Sequence, residues 1–126
     1  VNPQVRLRVP ADAEHLRTVR SVVAALAASA GCTVDALADL RLAVDEAATR
    51  LLLDVPAARV LAVEAAVVDD GLEVVVAAST EQATAWPPPE LERSLSWAVI
   101  AALVREPRTL TTHDGPAIAF RVVSDA

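Results

Sequence analysis

The amino-acid sequence predicts an α+β fold, a two-layer sandwich with three helices on one face of a mixed β-sheet, and three observations lead there. Three segments carry apolar residues at helical spacing, and valine-rich segments joined by aspartate-glycine turn signals fill most of the rest. With 126 residues, 54% of them hydrophobic, the chain suits one compact domain over residues 1–126 that needs no disulfide or metal staple.

The elements follow in order. Val5, Leu7 and Val9 alternate with Arg6 and Arg8, the pattern of a strand with one buried face, and Pro10 ends it. Asp12 caps a helix running towards Gly31, with Leu16, Val19, Val23, Leu26 and Ala30 on one side; Gly31 supplies the left-handed stop. Thr33 caps a second helix, where Asp35 suits the positive N-terminal end and Leu37, Leu40, Val44, Ala47 and Leu51 form the core stripe before Pro56. Residues 59–68 and 72–78 read as antiparallel strands joined by Asp69-Asp70-Gly71. A proline-rich loop spans 79–93. A third helix places Leu95, Val99, Ala102 and Leu103 in the core and is halted by Pro107. Residues 109–112 and 117–123, linked by His113-Asp114-Gly115-Pro116, make a final hairpin.

Composition narrows the functional classes. No apolar run approaches the roughly 18 residues of a membrane span, and the first residues lack a basic segment followed by an apolar stretch, so the expectation is a cytoplasmic domain that does not enter a membrane. The absence of methionine suggests a trimmed start. Net charge is −6 and the 11 basic residues, all arginine, are spread along the chain, which disfavours direct nucleic-acid binding. Cys32 follows Gly31 in a turn and reads as a small residue there; His15 and His113 lack the spacing of metal ligands.

The segment Asp39-Leu40-Arg41-Leu42-Ala43-Val44-Asp45-Glu46-Ala47-Ala48-Thr49-Arg50 carries the most information. It resembles the N-box helix of the GHKL (histidine-kinase-like) ATPases, specifically the RsbW type of bacterial anti-sigma-factor serine kinase, and the order of elements along nearly the whole chain is similar to that fold. The resemblance implies a base at Glu46 and a magnesium-binding asparagine four residues later, where this chain has Arg50. A guanidinium has only donors and repels a cation, so it does not coordinate Mg²⁺; Arg50 would instead face a phosphate. The alternative is an ordinary ion pair between Glu46 and Arg50 at i,i+4. The single asparagine, Asn2, lies at the chain end.

Two further family elements are altered. Ala77-Ala78-Ser79-Thr80-Glu81-Gln82 stands where the resemblance places an adenine-recognising aspartate and two glycines, and Ser94-Leu95-Ser96-Trp97 stands at the glycine-rich phosphate turn. The chain has three glycines, Gly31, Gly71 and Gly115, and each is claimed by a predicted turn. Three contact classes are lost together, so no cofactor is expected and ATP with Mg²⁺ is disfavoured.

The resemblance therefore implies an anti-sigma factor that holds a sigma factor away from RNA polymerase, is relieved by an anti-anti-sigma factor, pairs as a homodimer and has little or no kinase activity. The alternative is an ATP-dependent protein serine/threonine kinase acting on the anti-anti-sigma factor, with Glu46 as base and Arg50 on phosphate. A third reading is a structural or sensory module of a longer chain. For partner binding, Arg17 and Arg20 either engage an acidic surface or line a solvated helix face. Trp86, in Trp86-Pro87-Pro88-Pro89, either docks a partner on a stiff segment or closes a rigid connector over the cleft.

Overall fold

In the structure, a computed structural model that describes residues 3–82 and 84–125, the chain runs β1 (Val5–Pro10), α1 (Leu16–Ser29), α2 (Val34–Asp54), β2 (Val60–Val68), β3 (Gly71–Ser79), α3 (Leu95–Leu103), β4 (Arg105–Thr112) and β5 (Gly115–Val123). Asn2 lies outside the described residues. The five strands form one sheet in the order β1-β2-β3-β5-β4.

The α+β class and the element order agree with the sequence, but every strand pairing is antiparallel, which corrects the expected mixed sheet. The reason is topological. Passage through α3 leaves β4 running in the same direction as β3, and β5 then folds back between them, so no parallel pair touches.

Local chemistry explains where the helices begin and end. Asp12 accepts from the His15 amide and caps a short 3₁₀ turn, Ala13–His15, that leads into α1. Gly31, at φ +86°, adopts the left-handed conformation expected just beyond a helix end. Thr33 Oγ1 accepts from the Ala36 amide and opens α2, with Asp35 in its first turn.

The main core lies between the helices and one sheet face. Val19, Val23, Leu40, Val44 and Leu51 from α1 and α2 meet Leu61, Leu72, Val74, Val76, Ile118 and Phe120 from the strands. Gly71 opens β3 rather than supplying a left-handed turn: a Cβ there would stand 1.8 Å from the Val122 carbonyl oxygen, so only glycine lets β3 and β5 approach.

Among the described residues no helix packs over the opposite sheet face. Its floor is Ala62, Ala77 and Ala117, with Val75 and Leu110 packed beside them. Ion pairs stand around that floor: Arg6 with Glu64, Arg8 with Asp114, Arg108 with Glu73, and Arg121 with Asp70, Glu73 and Glu106.

Two expectations at the C-terminal third are corrected. In α3 the buried residues are Trp97 and Ile100, whereas Leu95 is 81% exposed, and Val99 and Ala102 also face outward. Apart from Ser96 the helix is apolar all round, so spacing alone does not tell which side the sheet will take. Pro107 lies inside β4 instead of halting α3. Since β4 is the edge strand, the missing N–H breaks no ladder, and a register shift between Arg105 and Arg108, with Glu106 at φ +52°, absorbs the bend.

Candidate functional site

Helix α2 presents Glu46 and Arg50 one turn apart, on the flank next to its buried stripe. The pair weighed from sequence does not form. Arg50 bonds forward along the helix to Asp54, with Nε to Oδ2 at 2.7 Å and an Nη to Oδ1 at 3.0 Å, a two-pronged contact between side chains that are 18% and 14% exposed. Those bonds, helped by the charge of nearby Glu90, hold the Arg50 guanidinium above its usual range. Glu46 is half-buried and has no hydrogen bond or ion pair among the described residues.

Forward pairing has a local cause. Asp54 is the last residue of α2, where the negative end of the helix dipole disfavours a carboxylate, and the guanidinium offsets that repulsion. Sequence reasoning missed Asp54, although its i+4 spacing from Arg50 was the same signal as the i−4 spacing of Glu46.

At the second altered element, β3 ends at Ser79 and the chain bends, with Thr80 Oγ1 accepting from the Gln82 amide at 3.1 Å. A concavity of about 530 Å³ opens there, lined by Ser79 to Gln82 together with Ala57, Arg59 and Val60. Glu46 and Arg50 do not line it, so the residues that sequence placed around one nucleotide are not gathered on this hollow.

The third element is built as an ordinary helix start. Ser94 Oγ accepts from the Trp97 amide at 3.1 Å and donates to the Leu91 carbonyl at 2.6 Å, so a donor that a phosphate turn would offer is already taken. Trp97 turns into the core at 9% exposure.

The proposed partner residues are separated by the fold. Arg20 reaches across to α2 and grips both carboxylate oxygens of Asp45, at 2.8 and 2.6 Å, so its charge is engaged within the fold. Arg17 stays exposed and has no ion pair among the described residues. Trp86 is half-buried and packed against the main core rather than projecting; its indole Nε1 is buried without a hydrogen-bond partner among the described residues. Cys32 is partly buried, and burial pushes its thiol pKa up. His15 contacts Asp12 through Nδ1 at 2.6 Å, and His113 is an exposed turn residue next to Asp114. No helix among the described residues is long and apolar enough to cross a membrane.

Comparison with known proteins adds to this geometry. Residues 9–121 match the family described as Histidine kinase-like ATPase domain. Two curated relatives, both named Anti-sigma-F factor RsbW, come from Mycobacterium tuberculosis strains CDC 1551 / Oshkosh and ATCC 25618 / H37Rv. Each is 36% identical over 113 residues, a match covering 88% of this chain and 62% of the relative. The chain thus spans about three-fifths of the length of those relatives.

Proposed function

Because the chain belongs to the Histidine kinase-like ATPase domain family over residues 9–121, we propose that it is an anti-sigma factor that works by sequestration. It holds an alternative sigma factor, an anti-anti-sigma factor releases it, and the working unit is a homodimer in the cytoplasm. The name of the two relatives supports the sigma-factor partner. The altered nucleotide elements support sequestration over phosphoryl transfer.

The observation that carries this reading is the Arg50 to Asp54 pair. Magnesium bound with a nucleotide requires oxygen ligands, and the position that the family fills with asparagine holds a cation already committed to a carboxylate. The residues present therefore do not fit a magnesium nucleotide. Ser94 caps its own helix, Trp97 fills the core, and Gly31, Gly71 and Gly115 all lie outside the two phosphate and adenine segments. With metal and phosphate contacts both absent, the positioning on which phosphoryl transfer depends is missing.

One observation favours the kinase alternative, in which the anti-anti-sigma factor is the substrate: Glu46 is half-buried and unpaired among the described residues, available as a base. Two measurements separate the readings. Calorimetric titration with ATP and Mg²⁺ is expected to give no saturable heat at micromolar protein; tight, metal-dependent binding would return the kinase reading. Affinity capture from the parent cell with the tagged chain, followed by mass spectrometry, is expected to recover a sigma factor. Recovery of neither a sigma factor nor a sigma antagonist would remove the anti-sigma assignment.

A further inference from the structure

The two edges of the sheet are finished differently. Along β4 the outer edge is interrupted: Pro107 has no N–H, the register slips between Arg105 and Arg108, and Glu106 sits at φ +52°. Such features keep an edge from pairing with a further strand. β1, at the other edge, is regular from Val5 to Val9, in unbroken register against Ala65 to Leu61. Its hydrogen-bonding direction is fixed from both ends. The Ala11 amide donates to the Arg59 carbonyl and the Val67 amide donates to the Gln4 side chain, so odd-numbered positions from 59 to 67 bond towards β1. Hydrogen-bonded positions alternate along an antiparallel pair. Val5, Leu7 and Val9 therefore turn their backbone groups to β2, and Arg6 and Arg8 turn theirs outward.

This leaves a short ladder open. β1 pairs only with β2 among the described residues, so the N–H and C=O groups of Arg6 and Arg8 have no strand partner there. The ladder stops at Pro10, which has no N–H and whose carbonyl already accepts from the Asp12 amide at 2.9 Å. The side chains beside the opening define what suits it. Arg6 and Arg8 stand on the open sheet face, 71% and 56% exposed, and Arg6 holds Glu64 only at 3.4 Å. On the helix side Val5 and Leu7 are partly buried against the main core, leaving apolar surface at the rim. A strand laid here meets cation, hydrocarbon and cation in turn, so the complementary segment alternates acidic and apolar residues. A second copy does not meet that requirement. Two β1 strands paired antiparallel about Leu7 set Arg6 opposite Arg8 of the other copy, and like charges directly opposite are destabilising.

We propose that the outer edge of β1 is a docking site for an extended acidic segment of another protein, which joins the five-stranded sheet as a further, antiparallel strand. Main-chain bonds to Arg6 and Arg8 hold the segment, acidic side chains opposite those two residues select it, and an apolar side chain between them rests on Leu7. The contact is small, which suits reversible capture rather than permanent assembly. The inference stands on β1 alone and is independent of the anti-sigma reading and of Glu46 and Arg50.

The test is a nuclear magnetic resonance titration of the 126-residue chain with an N-acetylated peptide of about ten residues that alternates glutamate and valine, with amide hydrogen exchange read alongside. In the free chain the Arg6 and Arg8 amides are expected to exchange quickly and those of Leu7 and Val9 slowly. Saturating peptide is expected to slow exchange at Arg6 and Arg8 by about tenfold or more. The same peptide with two successive prolines at its centre lacks a docking N–H and is expected to bind at least about fivefold more weakly. A lysine–valine peptide is expected to give no saturable shift. Arg8→Pro removes an outward N–H and no bond to β2, so it is expected to keep the circular dichroism spectrum and lose the peptide. Arg6→Gln with Arg8→Gln is expected to weaken binding by about tenfold. Absence of saturable binding by the glutamate peptide, equal binding of the proline or lysine peptide, or protection that falls elsewhere than Arg6 and Arg8 would each overturn the proposal. Protection of those amides that rises with protein concentration alone would give the edge to a second copy and overturn it as well. If Arg8→Pro folds poorly, the proline-interrupted peptide on the unmodified chain still decides.

Discussion

Replacing Asp54 by alanine isolates the pair on which the sequestration reading turns. Asp54 and Arg50 share two hydrogen bonds, and their side chains are only 14% and 18% exposed, so the surface-pair value of a few tenths of a kcal/mol is too small. A fully buried pair losing one member costs about 3–5 kcal/mol, and this one keeps some solvent contact, which places the expected loss near 2 kcal/mol. With an unfolding entropy of about 2.1 cal/mol/K per residue, 126 residues give roughly 265 cal/mol/K, so the midpoint should fall by about 8 °C. Differential scanning calorimetry reads this directly. The double replacement Arg50→Met with Asp54→Leu removes both charges and should recover most of the loss, because no uncompensated charge remains. Arg50→Asn installs the asparagine that the N-box resemblance implies, and should still not create Mg²⁺-dependent ATP binding, since the other two segments remain altered. An Asp54→Ala protein that melts with the parent, or an Arg50→Asn protein that binds ATP tightly, would refute the reasoning.

Other outcomes follow from the same structure. Gly71→Ala should cost about 3 kcal/mol in urea unfolding because its Cβ would collide with the Val122 carbonyl, whereas Gly31→Ala, strained only through its positive φ, should cost about 1 kcal/mol. Ile100→Ala should lose about 2–5 kcal/mol and Leu95→Ala under about 0.5 kcal/mol by the same assay; the reverse order would mean that α3 packs through its other side. Trp86→Phe deletes a buried N–H that has no partner among the described residues while keeping an aromatic ring, so stability should hold or rise by up to about 1 kcal/mol in thermal melts. A marked loss would mean that the indole nitrogen is satisfied in solution.

Local signals carried well from sequence to structure where they depended on a few adjacent residues. The cap at Thr33, the stop at Gly31 and the hairpin at Asp69-Asp70 each rest on conformational preferences within one turn, whereas Asp12 caps the 3₁₀ turn ahead of α1, and α1 itself starts after His15 without a side-chain cap. What depended on distant partners did not carry. The side of α3 that meets the core was hidden because a nearly all-apolar helix has no phase, and the strand character of Pro107 emerged only once β4 was known to be an edge. At the site, Glu46 and Arg50 lie one turn apart on α2, but two carboxylates four residues either side of Arg50 are equivalent on paper, and packing chose Asp54. Arg20 looked free because Asp45, its partner, is 25 residues away in sequence. Trp86 lay in a loop whose docking onto the core no local pattern encodes.

The bare side of the sheet has its own consequence. Alanine keeps that floor low between Val75, Leu110 and the flanking ion pairs, and Ala62, Ala77 and Ala117 are at most 5% exposed although no helix among the described residues lies on them. A sheet finished this way offers little grease to another sheet, so the molecule can leave one broad side wet without inviting face-to-face stacking. Its solubility there is bought with short side chains and salt-sensitive charge pairs, and lengthening one alanine to leucine should turn the quietest surface of the protein into its stickiest.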